Sequence, residues 1–153
     1  MSVRQGKIAL GALLGLAAFI AVGSLGLLVL RTAWHEYALA EPLKLYTLAM
    51  LVARLSVAQV ASLAAGVLAE RSAGPAGGGA AGGGAAGAWA AGTLLLLLSV
   101  PLHFQVWYDY PVWYHVVYLA LLVPVTGIAG SLRRSPLVSL SESGGSDPAA
   151  GAR

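Results

Sequence analysis

The chain contains no cysteine. Disulfides, thiolate metal sites, Cys-x-x-Cys relays and cysteine nucleophiles are therefore excluded, and with them the thiol-oxidising membrane enzymes. Charge is scarce as well. Of 153 residues, 10% are charged and 58% are hydrophobic. A soluble domain carries about 25% charged and about 45–50% apolar residues, so this inventory cannot cover a water-facing surface. The mean hydropathy of +0.79 points the same way: lipid is the expected solvent. The formal net charge is only +3, and the basic residues lie scattered beside apolar runs. No nucleic-acid footprint is present.

Familiar catalytic arrangements are missing too. No serine sits in a nucleophile elbow, and no Gly-x-x-x-x-Gly-Lys loop is present. No carboxylate falls inside an apolar run, where a proton-coupled transporter usually keeps one; Glu70 stands only at an edge. Neither enzyme activity nor a cofactor is expected.

Four apolar runs are present. The first, Ile8 to Leu30, has 23 residues and reaches about 34 Å at 1.5 Å per residue, enough to cross about 30 Å of hydrocarbon. It exceeds the roughly 7–15 residues of a signal-peptide core, so an uncleaved helix is expected. The others are expected at about 45–69, 85–104 and 112–131, giving an all-α, four-transmembrane-helix bundle over residues 1–134. A flexible Gly/Ala-rich cytoplasmic linker is expected over 72–87, and a disordered cytoplasmic tail over 135–153.

The basic residues set the expected orientation. With both termini inside, Arg4, Lys7, Arg71, Arg133, Arg134 and Arg153 lie on the cytoplasmic side, against Arg31 and Lys44 outside. Ten of the twelve aromatic residues then fall at the outer face, the pattern of an interfacial belt. Heavy use of Ala, Gly, Leu and Arg suggests a GC-rich bacterial genome, hence a multi-pass protein of the bacterial cytoplasmic (inner) membrane.

Small residues mark the expected packing faces: Gly11, Gly15 and Ala18 on the first helix, and Ala58, Ser62 and Gly66 on the second. These faces are expected to meet each other within the chain, with homodimerisation as the alternative. Arg54 falls nine residues into the second run, about 13 Å below its outer end. A charge there costs at least about 2.5–3.5 kcal/mol and requires compensation. Pro124 and Pro101 free the carbonyls of Ala120 and Leu97, to which Arg54 could donate, with Ser56, Gln59 and Ser99 assisting. An anion or headgroup site, and snorkelling to the outer surface, are the competing readings. His35, His103 and His115, with Asp109 nearby, are candidate metal ligands by residue type, but no spacing supports them.

The stretch Ala64 to Arg71 resembles the G-G-x-x-A-A-R helix exit of a set of bacterial four-helix membrane proteins of unassigned activity. Those proteins carry H-P-x-W-[FY] before the last helix, a proline within it, and G-x-x-x-R at its end. This chain has Tyr110-Pro111-Val112-Trp113-Tyr114, then Pro124, then Gly130 to Arg134, with Tyr110 where the family has His. The resemblance spans Leu45 to Arg134 and implies a fold and a location. The expected role is that of a structural or interaction component. A small oligomeric transporter, channel or accessory subunit is the second reading, and a metal- or haem-binding protein using the outer histidines the third. The expected partners are the lipid bilayer and either a second copy or another membrane protein.

Overall fold

The computed structural model describes residues 2–73 and 86–132. The Gly/Ala stretch 74–85, the basic pair Arg133 and Arg134, and the tail expected over 135–153 lie outside the described residues. Five helices follow in order: α1 Val3–Ala33, α2 His35–Ala40, α3 Leu48–Ala73, α4 Ala86–Gln105 and α5 Val112–Leu132. All but α2 are long and apolar enough to cross a membrane. The chain is an all-α, multi-pass bundle.

Several boundaries differ from the sequence reading, beginning with α1, which runs Val3–Ala33 rather than 8–30. The helix expected from Leu45 begins at Leu48 and runs on to Ala73, so Ser72 and Ala73 belong to helix rather than linker. The short α2 was not anticipated. It arises where Trp34 takes an extended conformation, φ −127°, and interrupts the helical run. At the other end of α1, Ser2 and Gln5 form a reciprocal capping box that satisfies two helix-terminal donors.

In lipid, apolar helices gain little from merely hiding surface, so close backbone approach decides how they pack. An added Cβ at Gly11 would stand 2.5 Å from the Ala69 carbonyl oxygen. At Gly15 it would meet Ala65, Ala69 and Ala91, each at 3.0 Å. The glycine face of α1 therefore beds on α3 and α4. Its nearest α3 neighbours at Gly11 and Gly15 are Ala65, Ala69 and Ala73 rather than the expected Ala58, Ser62 and Gly66. Gly66 turns to α5, where an added Cβ would be 2.1 Å from the Thr126 carbonyl oxygen. Helical phase explains the difference: adjacent residues are about 100° apart, so Ala65 and Gly66 serve different neighbours. Ser62, fully buried, donates to the Ala58 carbonyl of its own helix at 2.9 Å.

The core changes character along the bundle. One cluster is Ala12, Ala69 and Ala91; the next is Ala65, Leu95 and Leu122; the third is Leu51, Leu55 and Tyr114. Small side chains draw the helices together at the first level, and large ones hold them apart at the last. α1 stays peripheral: 6% of its apolar stretch is buried, against 28–33% in the other three spans. α1 and α5 make at most marginal contact. The end carrying the α1–α3 and α4–α5 connections has the larger core side chains, and the polar groups collect there.

Candidate functional site

Arg54 is the centre of that polar end. Its Nη1 donates to Glu41 Oε1 at 3.0 Å, to the Tyr46 hydroxyl at 3.4 Å and to the Tyr37 hydroxyl. The Tyr37 hydroxyl in turn donates to Glu41 at 3.4 Å. Glu41 is shared, since Arg31 binds the same carboxylate through two nitrogens. Two guanidinium groups thus converge on one carboxylate. Three rings surround the Arg54 head group, with centroids at 5.2 Å (Tyr46), 5.7 Å (Tyr110) and 5.9 Å (Tyr37). Their negative faces attract the cation, which is largely shielded from solvent.

Local structure delivers these partners. Tyr37 and Glu41 stand four apart at the end of α2, and therefore on one side of it. The turn after α2 closes with Leu45 donating to the Ala40 carbonyl, and Lys44 sits at φ 56°, in the left-handed region. That reversal brings Tyr46 back beside Tyr37. Tyr110 precedes α5 and stacks on Tyr46 at 5.3 Å and on Tyr114 at 4.9 Å. Lys44 also reaches Asp109, which ties the α1–α3 connection to the α4–α5 connection.

The proposed tie from Arg54 to the proline-freed carbonyls is not what the structure shows. Its hydrogen-bond partners are Glu41, Tyr37 and Tyr46, not Leu97 or Ala120. Leu97 and Ala120 are exposed residues, facing away from the bundle. With α3 starting at Leu48, Arg54 is only about 9 Å from the helix end, and its long side chain turns outward to the carboxylate. Pro101 and Pro124 remain inside α4 and α5. Ser56 bonds its own helix at Val52, and the Ser99 carbonyl meets His103 Nδ1 at 3.0 Å. Both amide atoms of Gln59 are buried without a hydrogen-bond partner.

The histidines divide. His103 and His115 meet edge-to-face at 5.2 Å, and Trp107 stacks on His115 at 4.7 Å. His35 is exposed on α2. Asp109 is engaged by Lys44. Among the described residues, no group of three or more His, Cys, Asp or Glu is placed to hold a metal ion.

The aromatic belt also divides. Phe104, Tyr108 and Trp113 are exposed, as an interfacial belt requires. Tyr37 and Tyr114 are buried, and Tyr46, Tyr110 and Tyr118 pack partly buried beside them. The residues that the sequence reading did not assign to a site are therefore Tyr37, Glu41, Tyr46, Tyr110 and Tyr114. A signal existed: Arg54 needed a counter-charge, and Glu41 was the carboxylate nearest the start of its helix.

Outside the spanning segments, the titrating groups show the same electrostatics. The hydrogen bond from Arg31 holds the Glu41 carboxyl below its usual range; burial opposes this and Arg54 adds to it. Burial pushes the Tyr37 phenol up, with Arg54 pulling the other way. Tyr46 is raised by burial and by its hydrogen bond with Tyr110.

Two cavities of about 260 and 270 Å³ flank the cluster and share Arg54, Tyr114 and Tyr118. The first runs along α1 past Phe19, Gly23 and Leu27 and is mostly apolar. The second runs along the end of α4 past His103 and Gln105 and is more polar. Comparison with protein-family models, with curated proteins and with solved structures found no match to this chain.

Proposed function

We propose that this chain is a structural, interaction-type component of a bacterial inner membrane, with both termini in the cytoplasm and the Arg54 cluster at the outer leaflet. The observation that supports this best is the clasp at the polar end. The Arg31–Glu41–Arg54 array joins α1, α2 and α3, while Lys44–Asp109 joins the two outer connections. Such cross-linking favours a fixed surface over a moving gate. Around it stand exposed rings, with Tyr108 fully exposed and Phe104 at 70%. Rigid aromatic side chains on a held surface suit recognition of a neighbouring membrane protein.

The orientation is supported by the charge distribution: Arg4, Lys7 and Arg71 lie at the end opposite the cluster. The partial resemblance around Tyr110 to Tyr114 and Gly130 is in keeping with a bacterial membrane family. The test is photo-crosslinking in native membranes from a reactive residue placed at Tyr108. One reproducible protein adduct is expected. Adducts to lipid alone would overturn the reading. Reporter fusions at each terminus test the topology, and a periplasmic signal at either end would reverse it.

A further inference from the structure

The apolar cavity beside α1 ends on a cation that is incompletely paired. The hydrogen bonds from Arg54 to Glu41, Tyr37 and Tyr46 leave through Nη1, and its Nε is buried with no hydrogen-bond partner. Glu41, the carboxylate paired with it among the described residues, is already shared with Arg31. The local balance is therefore two positive charges to one negative. Such a balance is complementary to one further anion. The remainder of the cavity is hydrocarbon-like, lined by Phe19, Ile20, Leu27 and Val57. It is partly open, and it lies where α1 and α5 barely touch. At about 260 Å³ it is slightly smaller than the roughly 300–1,000 Å³ of pockets for drug-sized ligands, a size suited to a segment of a single chain.

We infer that this recess binds one anionic phospholipid, with an acyl segment along α1 and the phosphate on Arg54. Arg54 supplies planar paired donors that match phosphate oxygens. The second cavity, with His103 and Gln105 beside Arg54, provides polar room for the head group. Gly23 keeps the chain path open: a Cβ there would meet only Ala61, at an ordinary 3.8 Å. The inference requires the chain to lie in a bilayer. It does not depend on the protein-partner reading above, which the crosslinking experiment tests separately.

The test is native mass spectrometry of the purified full chain in detergent, given equal amounts of phosphatidylglycerol and phosphatidylcholine with matched acyl chains. The wild type should retain the anionic lipid at least about tenfold better, because the choline cation of phosphatidylcholine brings back the positive excess that its phosphate would offset. Arg54→Gln should bring the ratio close to one. Gly23→Leu, which fills the apolar recess without touching the charges, should lower retention of both lipids. Equal retention by the wild type would overturn the inference. So would a folded Arg54→Gln protein with its preference intact, or displacement of the lipid by an equal concentration of inorganic phosphate. Should Arg54→Gln fail to fold, the Gly23→Leu protein decides, and full lipid retention there would refute an acyl chain in the recess.

Discussion

Arg54 Nη1 and Glu41 Oε1 lie 3.0 Å apart, each side chain 17% exposed, and they join the second spanning helix to the short helix outside it. The pair is asymmetric. Arg54 has tyrosine rings and hydroxyls around it, while Glu41 serves Arg31 as well. Removing the carboxylate therefore strands two cations, whereas removing Arg54 leaves Glu41 still paired. Glu41→Gln is expected to lower stability by about 1–3 kcal/mol, below the 3–5 of a fully buried broken pair because some solvent remains. Arg54→Leu is expected to cost less. Thermal unfolding of both variants and the double variant in detergent measures this, and an Arg54→Leu loss larger than that of Glu41→Gln would contradict it.

The same carboxylate sets an acid limit. Its folded-state pKa lies below the ordinary value of 4.5, mainly through the Arg31 hydrogen bond. A depressed carboxylate contributes stability that is complete above the unfolded pKa and is lost as pH falls through the folded one. Melting temperature should therefore be insensitive to Glu41 between pH 6 and 8, and its contribution should vanish progressively below about pH 4.5. Glu41→Gln should remove that part of the acid decline. An identical acid limb in the variant would show that Glu41 carries no such linkage.

The glycines separate close contact from open space. At Gly66 an added Cβ would lie 2.1 Å from the Thr126 carbonyl oxygen, a backbone atom that cannot swing aside. Gly66→Ala should therefore force α3 and α5 apart at a cost of about 1–3 kcal/mol, as other overpacked sites do. At Gly23 the nearest atom is Ala61 Cβ at 3.8 Å. Gly23→Ala should be neutral or stabilising by up to about 1 kcal/mol, since alanine is the better helix former. Equal melting temperatures for the two variants would argue against the α3–α5 contact.

How much of this was legible before folding depended on the length scale of the signal. The four spans follow from long apolar runs, of which the second carries the single charge of Arg54, and those runs are long enough to outvote local propensity. The small-residue positions were legible as small, but not as partners. Gly66 and Ala65 differ by one residue and serve different helices, and only the three-dimensional arrangement decides which. Arg54 was legible as a problem. Its solution was not, because Tyr37, Glu41 and Tyr46 come from a short helix and a left-handed turn with no hydrophobic period. The proline-freed carbonyls were plausible acceptors by depth alone. A carboxylate within reach of a long side chain is the stronger partner, since it neutralises the charge as well as accepting the hydrogen bond.

Lys44 combines a left-handed backbone with the ion pair to Asp109. The lysine side chain is 54% exposed, so the pair should contribute no more than about 1 kcal/mol. Asp109→Asn should therefore change stability little and remove part of its salt dependence. A non-glycine residue in the left-handed region costs about 1–2 kcal/mol. Lys44→Gly relieves that cost while losing the ion pair, so near-neutrality is expected. Lys44→Val loses the pair and deepens the strain, because a β-branched residue is poorly tolerated at this φ. The order of melting temperatures should be wild type close to Lys44→Gly, with Lys44→Val clearly below both. A valine variant as stable as the glycine variant would mean that the turn after α2 does not hold this conformation, and that Tyr46 reaches Arg54 by another route.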